Sequence, residues 1–194
     1  MQFQGVTKNI ESYSYNLVSK LIIKLNSLTA SRKNRDEMLN YVLNNPKEIE
    51  TLFKLAFDSK SNRENIYAAW VWELYILNNL ENFSQYFFRS LSLISLIKNS
   101  SMRRSLSKCF WYFLRVKKNY NMLDKKQKHL IVNTFLDWII TEKKTAPLNF
   151  SIRILLLFKK DLKEVNEYLN DVLNNPKKTF PKGLYPALRL VFKS

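Results

Sequence analysis

The sequence predicts an all-α protein, arranged as a right-handed α-solenoid of about ten short helices. Three observations carry this expectation. The 194 residues include two Gly and five Pro, little material for β-turns, and apolar and polar residues alternate over no long stretch. Apolar residues instead recur at three and four positions, the spacing of one helix face. A turn sequence also echoes along the chain: Val42-Leu43-Asn44-Asn45-Pro46-Lys47 recurs letter for letter as Val172 to Lys177, and Ile76-Leu77-Asn78-Asn79 is a partial copy. Helix pairs joined by short Asn/Pro turns are the building unit of α-solenoids.

Residues 1–8 read as a flexible leader and 9–194 as a single helical-repeat domain. Ile10, Tyr13, Leu17, Leu21, Leu25 and Leu28 mark a first amphipathic helix, whose apolar face is expected to pack on the next helix rather than on a membrane surface. Ser31 opens a second, with Met38, Leu39, Val42 and Leu43 as its buried side. Asn45 as cap, Pro46 at the first helical position and Glu48 behind it begin a third helix, to Phe57, burying Ile49, Leu52, Phe53 and Ala56.

The fourth helix, Ser61 to Asn79, is the one the chain is organised around. Ser61 with Glu64 forms a capping-box start, and apolar residues then lie almost all round the helix, as in a central buried one. Ile66, Trp70 and Leu77 share a stripe with Glu73. An unpaired carboxylate there is too costly to bury, so Glu73 is expected to form a buried ion pair with an Arg of the sixth helix. Arg103 is the chosen partner, because it sits with Phe110 and Leu114, away from the other cations.

A fifth helix spans about Phe83 to Lys98 and a sixth about Ser101 to Lys117. On the sixth, Met102, Leu106, Cys109, Phe113 and Val116 form the apolar side, while Arg104, Lys108, Trp111, Arg115 and Lys118 form a second stripe. Asp124 with Gln127 caps a seventh helix to about Lys143, Thr145 starts an eighth through Phe158, and a ninth runs from Asp161 or Leu162 to Asn174-Asn175. Pro181 to Lys193 is a short tenth, bent or delayed by Pro186.

The net charge is +16, with Lys outnumbering Arg 23 to 9 and 21 Asn, a bias that an AT-rich genome produces unaided. The distribution says more than the total. Between Asn82 and Met122 there is no Asp or Glu, while Arg89, Lys98, Arg103, Arg104, Lys108, Arg115, Lys117 and Lys118 all lie inside. The single cysteine, Cys109, excludes an internal disulfide and points to a reducing cytoplasm. The apolar run Ile154 to Phe158 is too short for a bilayer.

Site chemistry is sparse. One His and one Cys do not make a structural zinc site, and there is neither a P-loop nor a GxGxxG, so no metal, cofactor or catalytic residue is expected. Trp70, Trp72 and Trp138 read as core residues, with Asp137 beside Trp138 on the surface.

Ala68-Ala69-Trp70-Val71-Trp72-Glu73, then Met102-Arg103 with Cys109, then Asp137-Trp138-Ile139-Ile140-Thr141-Glu142-Lys143 ahead of Asn149-Phe150-Ser151 stand in order along the chain. From about Thr29 onward this set resembles a family of small HEAT- or armadillo-like helical proteins, whose members often carry the name adenylosuccinate lyase. The resemblance implies a helical-repeat fold, and its motifs are structural rather than catalytic. This chain departs from the pattern at Arg104, where a Pro or small residue is expected, and in its strong basicity. Lyases of that type are more than twice as long and use a mobile Gly/Ser-rich loop bearing a Ser base, with His for acid work. Here Gly5 and Gly183 are the only glycines, no Ser-rich loop precedes a Met-Pro, and His129 lies in a lysine-rich helix start. The lyase name is read as mis-transferred.

The expected function is therefore a non-enzymatic scaffold or adaptor for a macromolecular partner, a protein in the first instance. The alternative is nucleic-acid-backbone binding through the basic segment 82–122, with Arg104, Lys108, Trp111, Arg115 and Lys118 as the candidate face.

Overall fold

A computed structural model describes residues 20–175 and 179–192, and in these all regular structure is helical. A helix over 20–27 (α1) is followed by α2 (Arg32–Asn44), α3 (Ile49–Ala56), α4 (Arg63–Asn78), α5 (Ser84–Ile94) and α6 (Ser100–Leu114). Then come α7 (Lys117–Asn121), α8 (Lys125–Thr141), α9 (Thr145–Phe158), α10 (Glu164–Leu173) and α11 (Tyr185–Phe192), with single 3-10 turns before α3, α5 and α11. The expected leader 1–8, the first half of the first helix, Pro176-Lys177 of the turn echo and Lys193 lie outside the described residues.

The helix starts follow local chemistry. Ser31 caps α2 by accepting from the Asn34 N–H, and Asp124 and Gln127 form the full reciprocal capping box of α8. At α4 the expected cap is displaced by one residue. Asn62, not Ser61, accepts from the Asn65 N–H, while the Glu64 carboxylate turns to Asn26 Nδ2 at 2.9 Å. Asn45 does not cap the third helix with its side chain either; its Nδ2 reaches back to the Tyr41 carbonyl at 2.7 Å.

The sixth helix is shorter than expected. The chain leaves helical geometry at Val116 and restarts as α7, a turn that the periodicity does not separate. Asn119 Nδ2 donates to the Phe113 carbonyl at 3.0 Å, satisfying one of the acceptors that a helix end leaves open. Tyr120 then donates to Asp161 Oδ2 at 2.8 Å, and Lys128 Nζ reaches the same oxygen at 2.6 Å. These bonds fasten α7 to α8 and to the link behind α9. They hold the Asp161 carboxyl below its usual range, the Lys128 bond most of all, while burial pushes the Tyr120 phenol up.

The helices form two rows. In one, α4 packs on α2 and α6, α6 on α9, and α9 on α11. The other runs from α3 to α5 through Phe53 and Tyr86, then to α8 and α10. Between them lies a core of rings. Trp72 is surrounded by Phe53, Phe57, Tyr75, Phe83 and Tyr86 at 5.0–6.3 Å. Phe83 and Phe87 continue to Phe110 and Phe113, and Phe110 meets Phe135 at 5.8 Å, itself packed on Trp138. Each such ring contributes about 1.5–3 kcal/mol by leaving water, and tilted or edge-on pairs add about 0.5–1.5 kcal/mol. Trp72 and Trp138 are thus core residues, as expected. Cys109 is buried too, and desolvation pushes its thiol well up and leaves it inert.

Candidate binding face

Glu73 is the pivot of the outer face of α4. It is buried and ion-paired to α6, as expected, but its partners differ from the expected one. Arg104 Nη2 lies 2.9 Å from Oε2 and Lys108 Nζ 2.7 Å from Oε1. The side chain of Glu73 keeps only 7% of its exposure, whereas Arg104 and Lys108 keep 32% and 26%. The two cations therefore form a lid, with the carboxylate beneath and their outer surface toward water.

Arg103 serves a different carboxylate. One helical step of about 100° carries it to a different face of α6, into the space between the C-terminus of α8 and the link before α6. Its Nε donates to the Ile97 carbonyl at 2.9 Å and Nη1 to Thr141 Oγ1 at 3.1 Å, and its guanidinium stands 3.7 Å from Glu142 and 4.9 Å from the Trp138 ring centroid. Burial pulls this guanidinium below its ordinary value, against the opposing charges of Glu142 and Asp137. Glu142 accepts in addition from Ser100 Oγ and from the backbone N–H groups of Lys143 and Lys144. Helix periodicity does not single out Glu142, and only the approach of α6 to the end of α8 reveals its role.

The expected α6 stripe is only partly a free face. Arg104 and Lys108 are engaged with Glu73, and Lys118 leaves the stripe because it belongs to α7. Trp111 is half-buried, packed on Phe150 of α9 at 5.9 Å and on Tyr112 at 4.7 Å. Arg115, exposed, lies 4.9 Å from the Trp111 ring centroid, and Arg153 of α9 lies 5.4 Å from the same ring. Asn149 Oδ1 fixes Arg153 through its Nε at 3.0 Å.

A matching arrangement stands at the other end of the row. Arg35 of α2 lies 5.8 Å from the centroid of Trp70, three residues before Glu73 on α4. Trp70 and Arg35 are both half-buried, and Arg35 Nε and Trp70 Nε1 have no hydrogen-bond partner among the described residues. Three groups of contacts thus stand along four helices: Arg35 on Trp70, Glu73 beneath Arg104 and Lys108, and Arg115 and Arg153 on Trp111. Arg35, Trp70 and Arg153 fall outside the segment 82–122, and no sequence pattern joins them to it. Only the contact between helices reveals them.

Other chemistry is limited. No group of His, Cys, Asp or Glu among the described residues could hold a metal ion, and no described helix is long and apolar enough to cross a membrane. Comparison with family models, with curated proteins and with solved structures finds no match to this chain.

Proposed function

We propose that the protein is a non-enzymatic helical-repeat scaffold, a right-handed α-solenoid of the HEAT or armadillo kind, that holds a macromolecular partner along the α2–α4–α6–α9 face. The two rows of short helices support the solenoid reading, together with the resemblance carried by Ala68 to Glu73 and Asp137 to Lys143. The observation that carries the functional part is the line of cations mounted on Trp70, Glu73 and Trp111. Such a face fits a partner with an acidic or phosphorylated surface. A protein is the first class expected, and a nucleic acid the alternative.

The test is capture of partners from host extract with wild-type protein and with two variants. Arg35→Glu with Arg115→Glu reverses charge on the face, and Lys47→Glu with Lys54→Glu does so near α3, away from it. A partner retained by wild type and by the second variant but lost by the first supports the reading. A partner indifferent to the face variant removes it.

A further inference from the structure

We infer that the face recognises the phosphodiester backbone of double-stranded nucleic acid, with Arg35, Arg115 and Arg153 as the primary phosphate contacts. This rests on the binding-face reading above and takes the second of its two partner classes, on three observations about the face itself. The first support is a charge that the fold leaves uncompensated. Arg115 and Arg153 are gathered on one indole, although α6, α7, α9 and α11 contain no Asp or Glu at all. Neither has a carboxylate partner among the described residues, and nor does Arg35. Two like charges drawn together without an acid are unfavourable until an anion joins them.

The second support is residue type. Composition bias in this Lys-rich chain supplies lysines, yet the cations set on the two half-buried tryptophans of this face are Arg35, Arg115 and Arg153, while a fourth such pair, Arg103 on Trp138, is enclosed in the core. A guanidinium lying on an aromatic ring keeps its edge donors free and oriented, which suits bidentate phosphate recognition. Arg153 is further locked by Asn149.

The third support separates partner classes. Protein interfaces centre on apolar and aromatic anchors, but of the exposed large hydrophobic residues only Leu43, near the end of α2, lies on the four helices of this face. Single strands are held by bases stacking on free aromatic faces, and here both Trp70 and Trp111 already carry guanidiniums. Backbone charge is what remains to be read. At about 8–10 Å per helix, the row from α2 to α9 covers roughly 25 Å, enough to face several phosphates of a duplex.

The experiment is fluorescence anisotropy with two duplexes of unrelated sequence, a single strand of equal length and polyglutamate, from about 50 mM to about 200 mM salt. Wild type is expected to bind both duplexes equally and to bind them more tightly than the single strand, with a steep loss as salt rises. Arg115→Gln with Arg153→Gln should shrink the slope of log affinity against log salt by about 1.8, since each phosphate contact accounts for about 0.9. Arg115→Gln alone, at an exposed site that does not endanger folding, should shrink it by about half as much. Lys125→Gln with Lys126→Gln removes the same charge from the first turn of α8 and should leave the slope nearly unchanged. The inference is overturned if wild type fails to bind duplex at the lowest salt, or if the α8 variant loses as much as the face variant. Binding of polyglutamate without duplex also overturns it, while leaving the scaffold reading intact with an acidic protein partner. Loss of every polyanion, together with host partners indifferent to the face variant, removes both.

Discussion

Arg103 and Arg104, neighbours on α6, neutralise two different carboxylates on different faces of their helix: Glu142 beside α8 and Glu73 on α4. Arg103 is enclosed, whereas Arg104 is open to water on its outer edge. Loss of Arg103 leaves Glu142 buried with less compensation, so Arg103→Ala is expected to cost about 3–5 kcal/mol. Glu73→Ala frees two cations that can reach water, so about 1–3 kcal/mol is expected, with Glu73→Gln milder. Urea titrations of a double-mutant cycle check the assignment. Glu73 should couple to Arg104 and Lys108 and show no coupling to Arg103.

The lid over Glu73 also affects the face. Glu73→Gln removes the negative charge beneath Arg104 and Lys108, and the centre of the row goes from one net positive charge to two. Duplex affinity is expected to rise and the salt slope to steepen by about one phosphate contact, roughly 0.9. Anisotropy titration of the folded variant decides it; unchanged affinity would place the bound backbone away from Glu73.

Capping at α4 supplies a local test. Asn62→Ala should cost about 0.5–2 kcal/mol, while Ser61→Ala should be close to neutral. Equal losses in thermal melts would return the cap to Ser61.

Glu48 makes stability depend on pH. It is buried, with the Tyr41 hydroxyl at 3.3 Å, and desolvation raises its carboxyl above the usual carboxylate range. The folded state therefore holds this proton more tightly than the unfolded chain. Stability from this site is fully present below the ordinary Glu pKa and falls as pH rises through the higher folded value. Glu48→Gln should raise the neutral-pH Tm and remove that fall, which a melting series from mildly acidic to neutral pH reads directly.

Elements were more legible than partnerships. Asp124 with Gln127 and Ser31 lie where sequence chemistry puts them, because caps depend on residues three or four apart, and α9 starts at Thr145 as expected. The buried pairing of Glu73 was legible too, since a carboxylate on an apolar stripe has few alternatives. Its partner was not. Periodicity assigns Arg103 and Arg104 to different stripes of α6 but does not say which stripe α4 covers. The face went the same way: Arg35, Trp70 and Arg153 belong to helices far apart in sequence and meet only when the row assembles. Lys118 was misplaced because the break at Val116 is a backbone event with no Gly or Pro to announce it.

The four tryptophans divide by location into two pairs, and that division makes the protein its own optical probe. Trp72 and Trp138 are sealed in the ring core, whereas Trp70 and Trp111 are half-exposed beside guanidinium groups. Iodide, an anionic collisional quencher, is drawn to the second pair by those cations and kept from the first by packing. Quenchable emission then reports whether the face is occupied, and the unquenchable remainder reports whether the core is intact. Ligand binding and unfolding are thereby separated in one cuvette, without a label.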